Sequence, residues 1–438
     1  MVKLLENLRR YFFWLDDFLR GQPVKTHLDE ISLILDDGSA EDSHQLIEHH
    51  LKNLLQHIVS RVPYYKSYKG IMEFSSFPVV NKQVIKSQRD MFLATDNDSR
   101  KTIAVTTSGS TGTPFETFQD KNKKLRNTAD TLFFAERGGY KLGQRLIYLK
   151  IWVQEKMGGK LKYWLQNLVP VDVIKLNDSH IELLLNKISR DRSTVGILGY
   201  ASALELICKY LDRHPDFIVG TNVKSAISMS ETLNEYTKDR MYKHFGVNVV
   251  SRYSNLENGI LAQQERDGSG NYLVNTASYI IEILKMDSDQ PADEGEPGRI
   301  VVTDLFNYAL PMIRYDTGDV GAMVPAVEGD PRRYLSVVEG RKLDLIFDTK
   351  GELVSSYIVY KNMWQYTEIS QYQLIQEDKN VYTFKINAAK EFLKEEKLIS
   401  EFKNYLGDDA KFTVEYVDEI PLLASGKRKK IVNNYIKT

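Results

Sequence analysis

The feature that most constrains the fold is an alternation of short apolar runs with segments of helical periodicity between about residues 100 and 260. The apolar runs have the length and composition of strands: Arg145–Leu149, Thr194–Tyr200, Val223–Met229 and Val247–Tyr253. Between them, apolar residues recur at three- and four-residue spacings, which predicts helices over Ile181–Ile188 and Ala203–Leu211. Alternating strands and helices favour a doubly wound α/β core.

The rest of the chain differs from that core in its patterns. Short strands such as Tyr272–Val274 are separated by turn residues, and a later region mixes strands with a helix near 391–405. The predicted divisions are a helical entry, an α/β core, a β subdomain and a small C-terminal domain: 1–70, about 71–270, about 271–339 and 340–438. We therefore predict an α/β fold with a large N-terminal domain (1–339) and a small α+β C-terminal domain.

Composition narrows the class of protein. The chain has 438 residues, 42% of them hydrophobic, and a formal net charge of −1, which indicates a globular protein and no nucleic-acid partner. The single Cys208 cannot form an internal disulfide, which fits a cytoplasmic location, and no transmembrane segment is predicted. Apolar residues near the N-terminus form a helical stripe that we expect to pack on the protein, with a membrane surface as the alternative: Leu4, Leu8, Phe12, Leu15 and Leu19.

A loop rich in Gly, Ser and Thr follows a predicted strand over Lys101–Val105. The loop consists of Thr106, Thr107, Ser108, Gly109, Ser110, Thr111, Gly112, Thr113 and Pro114. Glycines permit sharp turns and close backbone approach, and the hydroxyl groups add donors, so such a loop can hold phosphates. A solvated Ser/Gly linker is the alternative.

Four further segments contain residue types suited to nucleotide chemistry: Tyr253–Glu257, Arg314–Asp319, Gly340–Asp344 and Ile420–Lys429. In the first, which follows a strand, an aromatic ring can stack on a base and a carboxylate can hold Mg²⁺. In the second, clustered acids with Arg314 can bind hydroxyls and an anion. Each also has an ordinary structural alternative, such as a surface acid, a turn acid or a solvated basic face.

Taken in order, these segments resemble the motifs of the adenylate-forming superfamily, which includes acyl-CoA synthetases, peptide-synthetase adenylation domains and luciferases. The resemblance covers about residues 55 to 432. The branch it resembles most is the phenylacetate–CoA ligase group with its capsular-polysaccharide-biosynthesis relatives. The stretches that carry this are Arg61–Tyr65, Phe77–Lys82, Glu294–Leu305 and Leu310–Tyr315.

The resemblance implies catalytic roles for Lys427, Glu257 and Thr107. Lys427 would bridge the substrate carboxylate and the α-phosphate, Glu257 would bind Mg²⁺, and Thr107 belongs to the phosphate-binding loop. The residues implied in nucleotide binding are Thr106, Thr107, Ser108, Gly109, Ser110, Thr111, Gly112, Ser230, Glu231, Tyr253, Ser254, Asn255, Asp319 and Arg341. Among these, Tyr253 would stack on adenine, and Asp319 would hold the ribose hydroxyls with help from Arg341.

The implied reaction is attack of a small-molecule carboxylic acid on ATP, which gives acyl-AMP and pyrophosphate, followed by acyl transfer to coenzyme A. The small C-terminal domain would be mobile and would rotate about Lys342–Asp344 between the two steps. Four residues depart from the usual family pattern: Phe115, Ser254, Leu256 and Leu343. They replace a basic residue, a glycine, a Thr or Ser, and a charged pivot residue, respectively.

Two other functions stay open at this point. One is acyl or aminoacyl transfer to an amine or hydroxyl in surface polysaccharide biosynthesis, and the other is non-catalytic nucleotide binding. The loop lacks the Gly-Lys-Ser/Thr ending of a P-loop kinase, and no G-x-G-x-x-G of a dehydrogenase follows a strand. The acid and the oligomeric state are open too. Candidate walls of the acid pocket, or ordinary core residues, are Phe133, Phe134, Tyr140, Tyr148, Trp152, Tyr200 and Tyr253.

Overall fold

A computed structural model describes residues 2–71, 73–96, 102–107, 115–152, 159–220, 222–327, 329–341, 346–354, 357–363, 365–366, 368–388, 392–421 and 429–435. The described residues form two compact units. The larger unit extends to Val338, apart from Asn234–Tyr236, and the smaller unit contains the described residues from Glu339 onward.

The α-helices are, in chain order, α1 (Val2–Leu19), α2 (Pro23–Ser32), α3 (Ala40–Arg61), α4 (Lys82–Ser87), α5 (Arg89–Phe92), α6 (Lys121–Arg137), α7 (Lys160–Leu165), α8 (Asp178–Arg190), α9 (Ala201–Arg213), α10 (Glu235–Phe245), α11 (Tyr357–Met363) and α12 (Glu395–Leu406). The strands are β1 (Val80–Asn81), β2 (Ile103–Thr107), β3 (Phe115–Gln119), β4 (Arg145–Lys150), β5 (Leu168–Asp172), β6 (Val195–Tyr200), β7 (Val223–Met229), β8 (Val249–Asn255), β9 (Gly259–Gln264), β10 (Tyr272–Val274), β11 (Tyr279–Leu284), β12 (Gly298–Asp304), β13 (Tyr315–Met323), β14 (Tyr334–Arg341), β15 (Ile346–Phe347), β16 (Leu353–Val354), β17 (Ile369–Asp378), β18 (Val381–Ala388), β19 (Lys411–Tyr416) and β20 (Ile431–Asn433).

One large sheet organises the larger unit. Its strand order is β11-β12-β13-β14-β10-β9-β8-β7-β6-β4-β5, with β1 paired to β13. Strands β5, β4, β6, β7 and β8 are parallel and are connected through α7, α8, α9 and α10. The predicted α/β fold class is confirmed, because the predicted strands that became β4, β6, β7 and β8 pair in parallel as the alternating pattern requires. The strand predicted over Lys101–Val105 instead forms β2, which pairs antiparallel with β3 in a separate two-stranded sheet. Consequently the carboxyl ends of β4, β6, β7 and β8 lie along one sheet edge.

The short strands that suggested a β subdomain continue the same sheet. The neighbouring pairs β8–β9, β9–β10 and β11–β12 are antiparallel, as are β10–β14 and β12–β13. These strands are therefore an antiparallel extension of the parallel core rather than a separate layer. This arrangement gives the sheet two halves that meet at β8 and β9.

Helix α1 buries two acidic side chains, Glu6 and Asp17, instead of its predicted apolar stripe. The Glu6 carboxylate accepts the Thr194 backbone N–H at 2.8 Å, and the Asp17 carboxylate accepts the N–H groups of Val24 and Lys25. Both acids are buried, whereas the predicted stripe is largely exposed at Leu4, Leu8, Phe12 and Leu19. The expectation that this stripe packs on the protein is wrong, because the acids satisfy backbone donors at the start of α2 and before β6. None of the helices within the described ranges is long and apolar enough to cross a membrane.

The smaller unit has its own sheet and core. Its sheet order is β19-β18-β17-β20, in which β17 and β18 are antiparallel and the outer pairs are parallel. Helix α12 contributes Leu398, Phe402 and Leu406 to the buried cluster against this sheet. This arrangement confirms the predicted α+β character, with β18 and α12 at the expected places in the chain.

Candidate active site

The polar cluster of the larger unit is built on β8 and β13. Tyr253 lies near the end of β8, and Glu257 follows in the turn to β9. Strand β13 contributes Tyr315, Thr317 and Asp319. The sheet therefore brings together two segments that are about sixty residues apart in the chain, and they meet beside the carboxyl end of the parallel core.

Tyr253 and Asp319 are in direct contact. The Tyr253 hydroxyl donates to Asp319 Oδ2 at 2.7 Å, and it also lies 3.4 Å from Thr317 Oγ1. Burial, and next the Asp319 charge, raise the pKa of Tyr253 well above its ordinary value, so the hydroxyl stays protonated and keeps donating. The residue predicted to stack on adenine and the residue predicted to hold ribose thus fix each other's positions.

A bulge in β13 presents Thr317 and Asp319 to Tyr253. The paired residues Arg299–Val320 and Val301–Asp316 flank an irregularity, so β13 contains more residues there than β12 does. Gly318, inside the irregularity, has φ of 79°, a conformation that side chains other than glycine rarely adopt. Bulges redirect side chains and are common next to active sites. Here the bulge separates Asp319 from its neighbour Asp316.

Asp316 and Arg314 have structural partners instead of places in this cluster. Arg299 NH1 donates to Asp316 Oδ2 at 2.7 Å. The Arg314 guanidinium donates to the Glu282 carboxylate and to the backbone oxygens of Ser75 and Phe77. The prediction that Arg314 and the two acids act together is therefore wrong for Arg314 and Asp316. Of the three charged residues in that segment, only Asp319 joins the cluster.

Glu257 is almost completely buried. The residue is 8% exposed, and the Tyr315 hydroxyl donates to Glu257 Oε1 at 3.3 Å. Burial, and next the Glu257 charge, raise the pKa of Tyr315 well above its ordinary value, which keeps that hydroxyl neutral. The carboxylate is thus held in place by a permanent donor.

The turn that carries Glu257 is anchored on both sides. Gln119 Nε2 donates to the Glu257 backbone oxygen at 3.1 Å, and the Tyr279 hydroxyl donates to the Asn258 backbone oxygen at 2.8 Å. Asn255 Oδ1 accepts the Asn258 N–H at 2.8 Å. A Cβ at the following Gly259 would lie 2.8 Å from the Tyr279 hydroxyl, so this anchor requires glycine. In the same turn Leu256, one of the family departures, is 61% exposed and points its bulk away from the interior.

Lys82 is a site residue that the sequence analysis did not assign. Its ammonium lies 3.7 Å from Glu257 Oε1 and 4.9 Å from the centre of the Phe115 ring. The side chain of Asn81 caps α4 by accepting the N–H groups of Gln83 and Val84, which fixes the helix that starts at Lys82. Phe115 stands where the family often has a basic residue, and in this chain a lysine from α4 covers that ring.

The other predicted site residues differ in how the structure places them. Thr106 and Thr107 end β2 and pair with Glu116 and Phe115 of β3. Ser230 follows β7 with φ of 68°, and the Glu231 carboxylate accepts the Ser202 N–H at the start of α9. Ser254 lies in β8 beside Tyr253. Outside the described residues lie Ser108, Gly109, Ser110, Thr111, Gly112, Leu343, Lys427 and the side chain of Arg341.

The candidate walls of the acid pocket fall into two groups. Phe133 and Phe134 of α6 are buried in a core cluster with residues of α2. The Tyr140 hydroxyl donates to the Gln144 backbone oxygen. Tyr148 and Tyr200 instead pack around Met229 at the carboxyl ends of the parallel strands. The Trp152 ring lies 5.5 Å from that of Tyr148. Only the second group lies where ligands collect in an open α/β sheet.

Comparison with known proteins gives matches that agree with the resemblance described for the sequence. Residues 346–434 match the CapK C-terminal domain family. Protein CapK of Staphylococcus aureus is 20% identical over 386 residues, which cover 83% of this chain and 81% of that protein.

Among solved structures, a 2-hydroxyisobutyryl-CoA ligase in a postadenylation state aligns with a TM-score of 0.69 and 12% identity, covering 90% of both chains. The chain has the adenylate-forming ligase fold. ATP-bound MatB from Rhodopseudomonas palustris shares this fold, with a TM-score of 0.55 and 16% identity over 75% of this chain and 66% of that one. The predicted resemblance is thus confirmed at the level of the fold, and the CapK matches agree with its capsule-related side.

The predicted magnesium ligand Glu257 suits an ion that also takes ligands from phosphate groups. Mg²⁺ takes one or two carboxylates together with phosphate oxygens. Glu257 supplies one buried carboxylate, and the described residues contain no cluster of three or more acids, histidines or cysteines that could hold a metal on their own. One buried carboxylate therefore fits an ion whose remaining ligands come from phosphate oxygens.

The two acids of β13, Asp316 and Asp319, form a matched pair for testing the nucleotide contact predicted for Asp319. Asp319→Asn is expected to raise KM for ATP by ~10- to 100-fold, because it would weaken the hydrogen bonds to ribose that the family resemblance implies, and charged hydrogen bonds are each worth about 1.5–3 kcal/mol. Asp316→Asn removes the charge that pairs with Arg299 but keeps an amide oxygen that can accept the Gly318 N–H, so it is expected to leave KM for ATP unchanged. ATP-dependent pyrophosphate exchange measures both variants. Equal changes in KM would rule out a specific role for Asp319.

Proposed function

We propose that the protein activates a carboxylic acid with ATP, forming acyl-AMP and pyrophosphate. The observation that carries the proposal is the convergence of Tyr253, Asp319 and Glu257 on one edge of the sheet. The hydroxyl of Tyr253 contacts Asp319, and Tyr315 and Lys82 hold Glu257 next to them. The fold shared with a 2-hydroxyisobutyryl-CoA ligase supports it.

In the first step, a carboxylate oxygen of the acid attacks the α-phosphorus of ATP. A new phosphorus–oxygen bond forms, the bond to the β-phosphate oxygen breaks, and pyrophosphate leaves. Because two anions must approach each other, positioning and charge neutralisation dominate such a reaction. Asp319 and Tyr253 would orient the nucleoside, Lys427 would sit between the two anions, and Glu257 would hold Mg²⁺, which neutralises phosphate charge when bound.

In the second step we propose transfer of the acyl group to the thiol of coenzyme A, in the manner of a phenylacetate–CoA ligase. The sulfur attacks the acyl carbonyl, the bond to AMP breaks, and the thiol proton passes to solvent. The 2-hydroxyisobutyryl-CoA ligase of the same fold is described with both an acyl-AMP and CoA bound, which supports this acceptor.

A second candidate is transfer to an amine or hydroxyl acceptor in surface polysaccharide biosynthesis. The matches to protein CapK and to the CapK C-terminal domain favour it, together with the resemblance to capsule-related relatives. Both candidates share the adenylation step and differ only in the nucleophile that accepts the acyl group.

The experiment that tests the shared step is acid-dependent exchange of labelled pyrophosphate into ATP, with a panel of carboxylic acids. We expect exchange with at least one acid, and none without acid. The activated acid is then incubated with coenzyme A, or with amino sugars and polyols, and the products are identified by mass. A thioester supports the first candidate, an amide or ester supports the second, and failure of exchange with every acid contradicts adenylation.

A further inference from the structure

On one face of the parallel sheet, the charged side chain of Arg252 lies near aromatic side chains. Tyr200, Met229 and Arg252 are register partners on β6, β7 and β8, so they lie side by side near the carboxyl ends of their strands. Tyr148 of β4 packs in the same cluster, and its hydroxyl lies 3.9 Å from Met229 Sδ. We call this set the Arg252 face: Tyr148, Lys150, Trp152, Tyr200, Met229 and Arg252.

Arg252 is a buried cation with unused donor capacity. The residue is 7% exposed, and its Nε donates to Gln263 Oε1 at 2.9 Å. Its NH2 group is buried and has no hydrogen-bond partner within the described part of the chain. Burial lowers the pKa of Arg252 to about 10, so the guanidinium is still charged at neutral pH. Buried arginines are ordinarily paired with an anion, and this one has no carboxylate partner among the described residues.

Lys150 adds a second positive charge at the same face. Its ammonium lies 4.8 Å from the centre of the Tyr148 ring and 4.4 Å from that of Trp152. Burial lowers the pKa of this ammonium. The aromatic rings stabilise the cation without neutralising it. The Arg252 face is therefore apolar in its walls and positive in its charge.

We propose that the acid activated by this protein carries a second anionic group, in the simplest case a second carboxylate, which binds Arg252. This inference rests on the proposed adenylation, because it assigns the acid to the Arg252 face. Arg252 is adjacent to Tyr253 in β8, and neighbouring residues of a strand point to opposite faces. One strand would thus present Tyr253 to the nucleotide and Arg252 to the acid.

The chemistry of the guanidinium supports a carboxylate over other groups. Its planar donors match a carboxylate in a bidentate arrangement, and such charge-assisted bonds are short and strong. A purely apolar acid would leave the NH2 donors unpaired and shielded from water, which is unfavourable. Sites built to bond a polar group reject analogues that lack it more strongly than apolar pockets reject a missing methylene.

The test compares acids that differ only in the distal group. Succinate, succinamate and butyrate form one series, and terephthalate and 4-methylbenzoate form another. In the wild-type protein we expect the dicarboxylate to exceed its monocarboxylate partner at least tenfold in kcat/KM for pyrophosphate exchange, with succinamate well below succinate. Arg252→Gln is expected to reduce that ratio at least tenfold through KM for the acid, and Arg252→Lys to restore part of it. Arg145→Gln is the control, because Arg145 begins β4 and its guanidinium lies 3.3 Å from Asp191.

Calorimetric binding of the same acids to the wild-type protein separates this inference from the proposed function. One outcome is that the wild-type protein binds dicarboxylates, that Arg252→Gln abolishes this binding, and that no acid supports pyrophosphate exchange. This outcome would support the anion site and contradict adenylation. Exchange that prefers the monocarboxylates, or a ratio that Arg252→Gln leaves unchanged, would overturn the inference and leave adenylation standing. An absence of dicarboxylate binding to the wild-type protein overturns it as well.

Discussion

Glu257→Gln is expected to lower the rate of acid-dependent pyrophosphate exchange by about 10²–10³-fold, or about 3–4 kcal/mol, the usual loss when one preorganised electrostatic group is removed. The substitution keeps the shape of the side chain, and the amide oxygen can still accept the Tyr315 hydroxyl. It removes the negative charge that would hold Mg²⁺ against the phosphates. Exchange assays over a range of Mg²⁺ concentrations measure the effect, which should appear in kcat more than in KM for the acid.

A second acid on the same sheet provides the control for this prediction. Glu265 follows β9 at the end of that strand away from the Glu257 turn, and its carboxylate pairs with Arg137. Glu265→Gln removes a partly buried negative charge of the same kind, so it is expected to affect stability while leaving the exchange rate near the wild-type value. If the two variants exchanged at similar rates, Glu257 would have no special role in handling phosphate charge.

The fold could be predicted from the sequence because local patterns and sheet topology agree in this chain. The apolar run Val223–Met229 forms β7 without change, and the helix predicted over Ala203–Leu211 is the central part of α9. Strands that alternate with helices along the chain usually form a parallel sheet connected by those helices. The α+β character of the smaller unit could be predicted for the same reason, because the sequences of α12 and β18 have clear periodicity.

The wrong prediction for the apolar stripe of α1 shows what hydrophobic patterns leave out. The apolar stripe at helical spacing predicted a packing face, but α1 is attached through the buried acids Glu6 and Asp17 and through Phe13 and Trp14, which pack on a buried cluster. A carboxylate that accepts backbone N–H groups seven or eight residues away, as Asp17 does, or 188 residues away, as Glu6 does, leaves no periodic signal. Hydrophobic patterns report which face is apolar, and they do not report which backbone donors need a partner.

The candidate site was predictable where its residues follow strands and not where they depend on tertiary contacts. Tyr253 ends a predicted strand and Glu257 follows it, and Asp319 lies three residues from Asp316 in a cluster of acids. Which acid joins the site depends on the β13 bulge, for which Gly318 is the sequence signal. Lys82 gave no local indication, because its ammonium meets Glu257 only when α4 packs near the turn after β8.

Lys427→Ala is the second substitution with a large expected effect. The resemblance to adenylate-forming enzymes places this ammonium between the substrate carboxylate and the α-phosphate, where it would offset the repulsion of two anions. Loss of that charge is expected to reduce pyrophosphate exchange by about 10²–10³-fold. Binding of ATP should weaken little, because Tyr253 and Asp319 of the larger unit are unchanged. Exchange kinetics and equilibrium binding of ATP, measured on the same preparation, check both expectations.

Lys430→Ala is the matched control in the same basic segment. The Lys430 ammonium lies 5.0 Å from the centre of the Tyr372 ring, a contact worth about 0.5–1 kcal/mol at an exposed site. Its removal should lower the stability of the smaller unit slightly and leave exchange intact. A non-catalytic nucleotide-binding protein would show no exchange in any variant and the same ATP affinity in all of them. Normal exchange by Lys427→Ala would instead mean that another cation neutralises the reacting anions, and Lys82, already 3.7 Å from Glu257, would be the residue to substitute next.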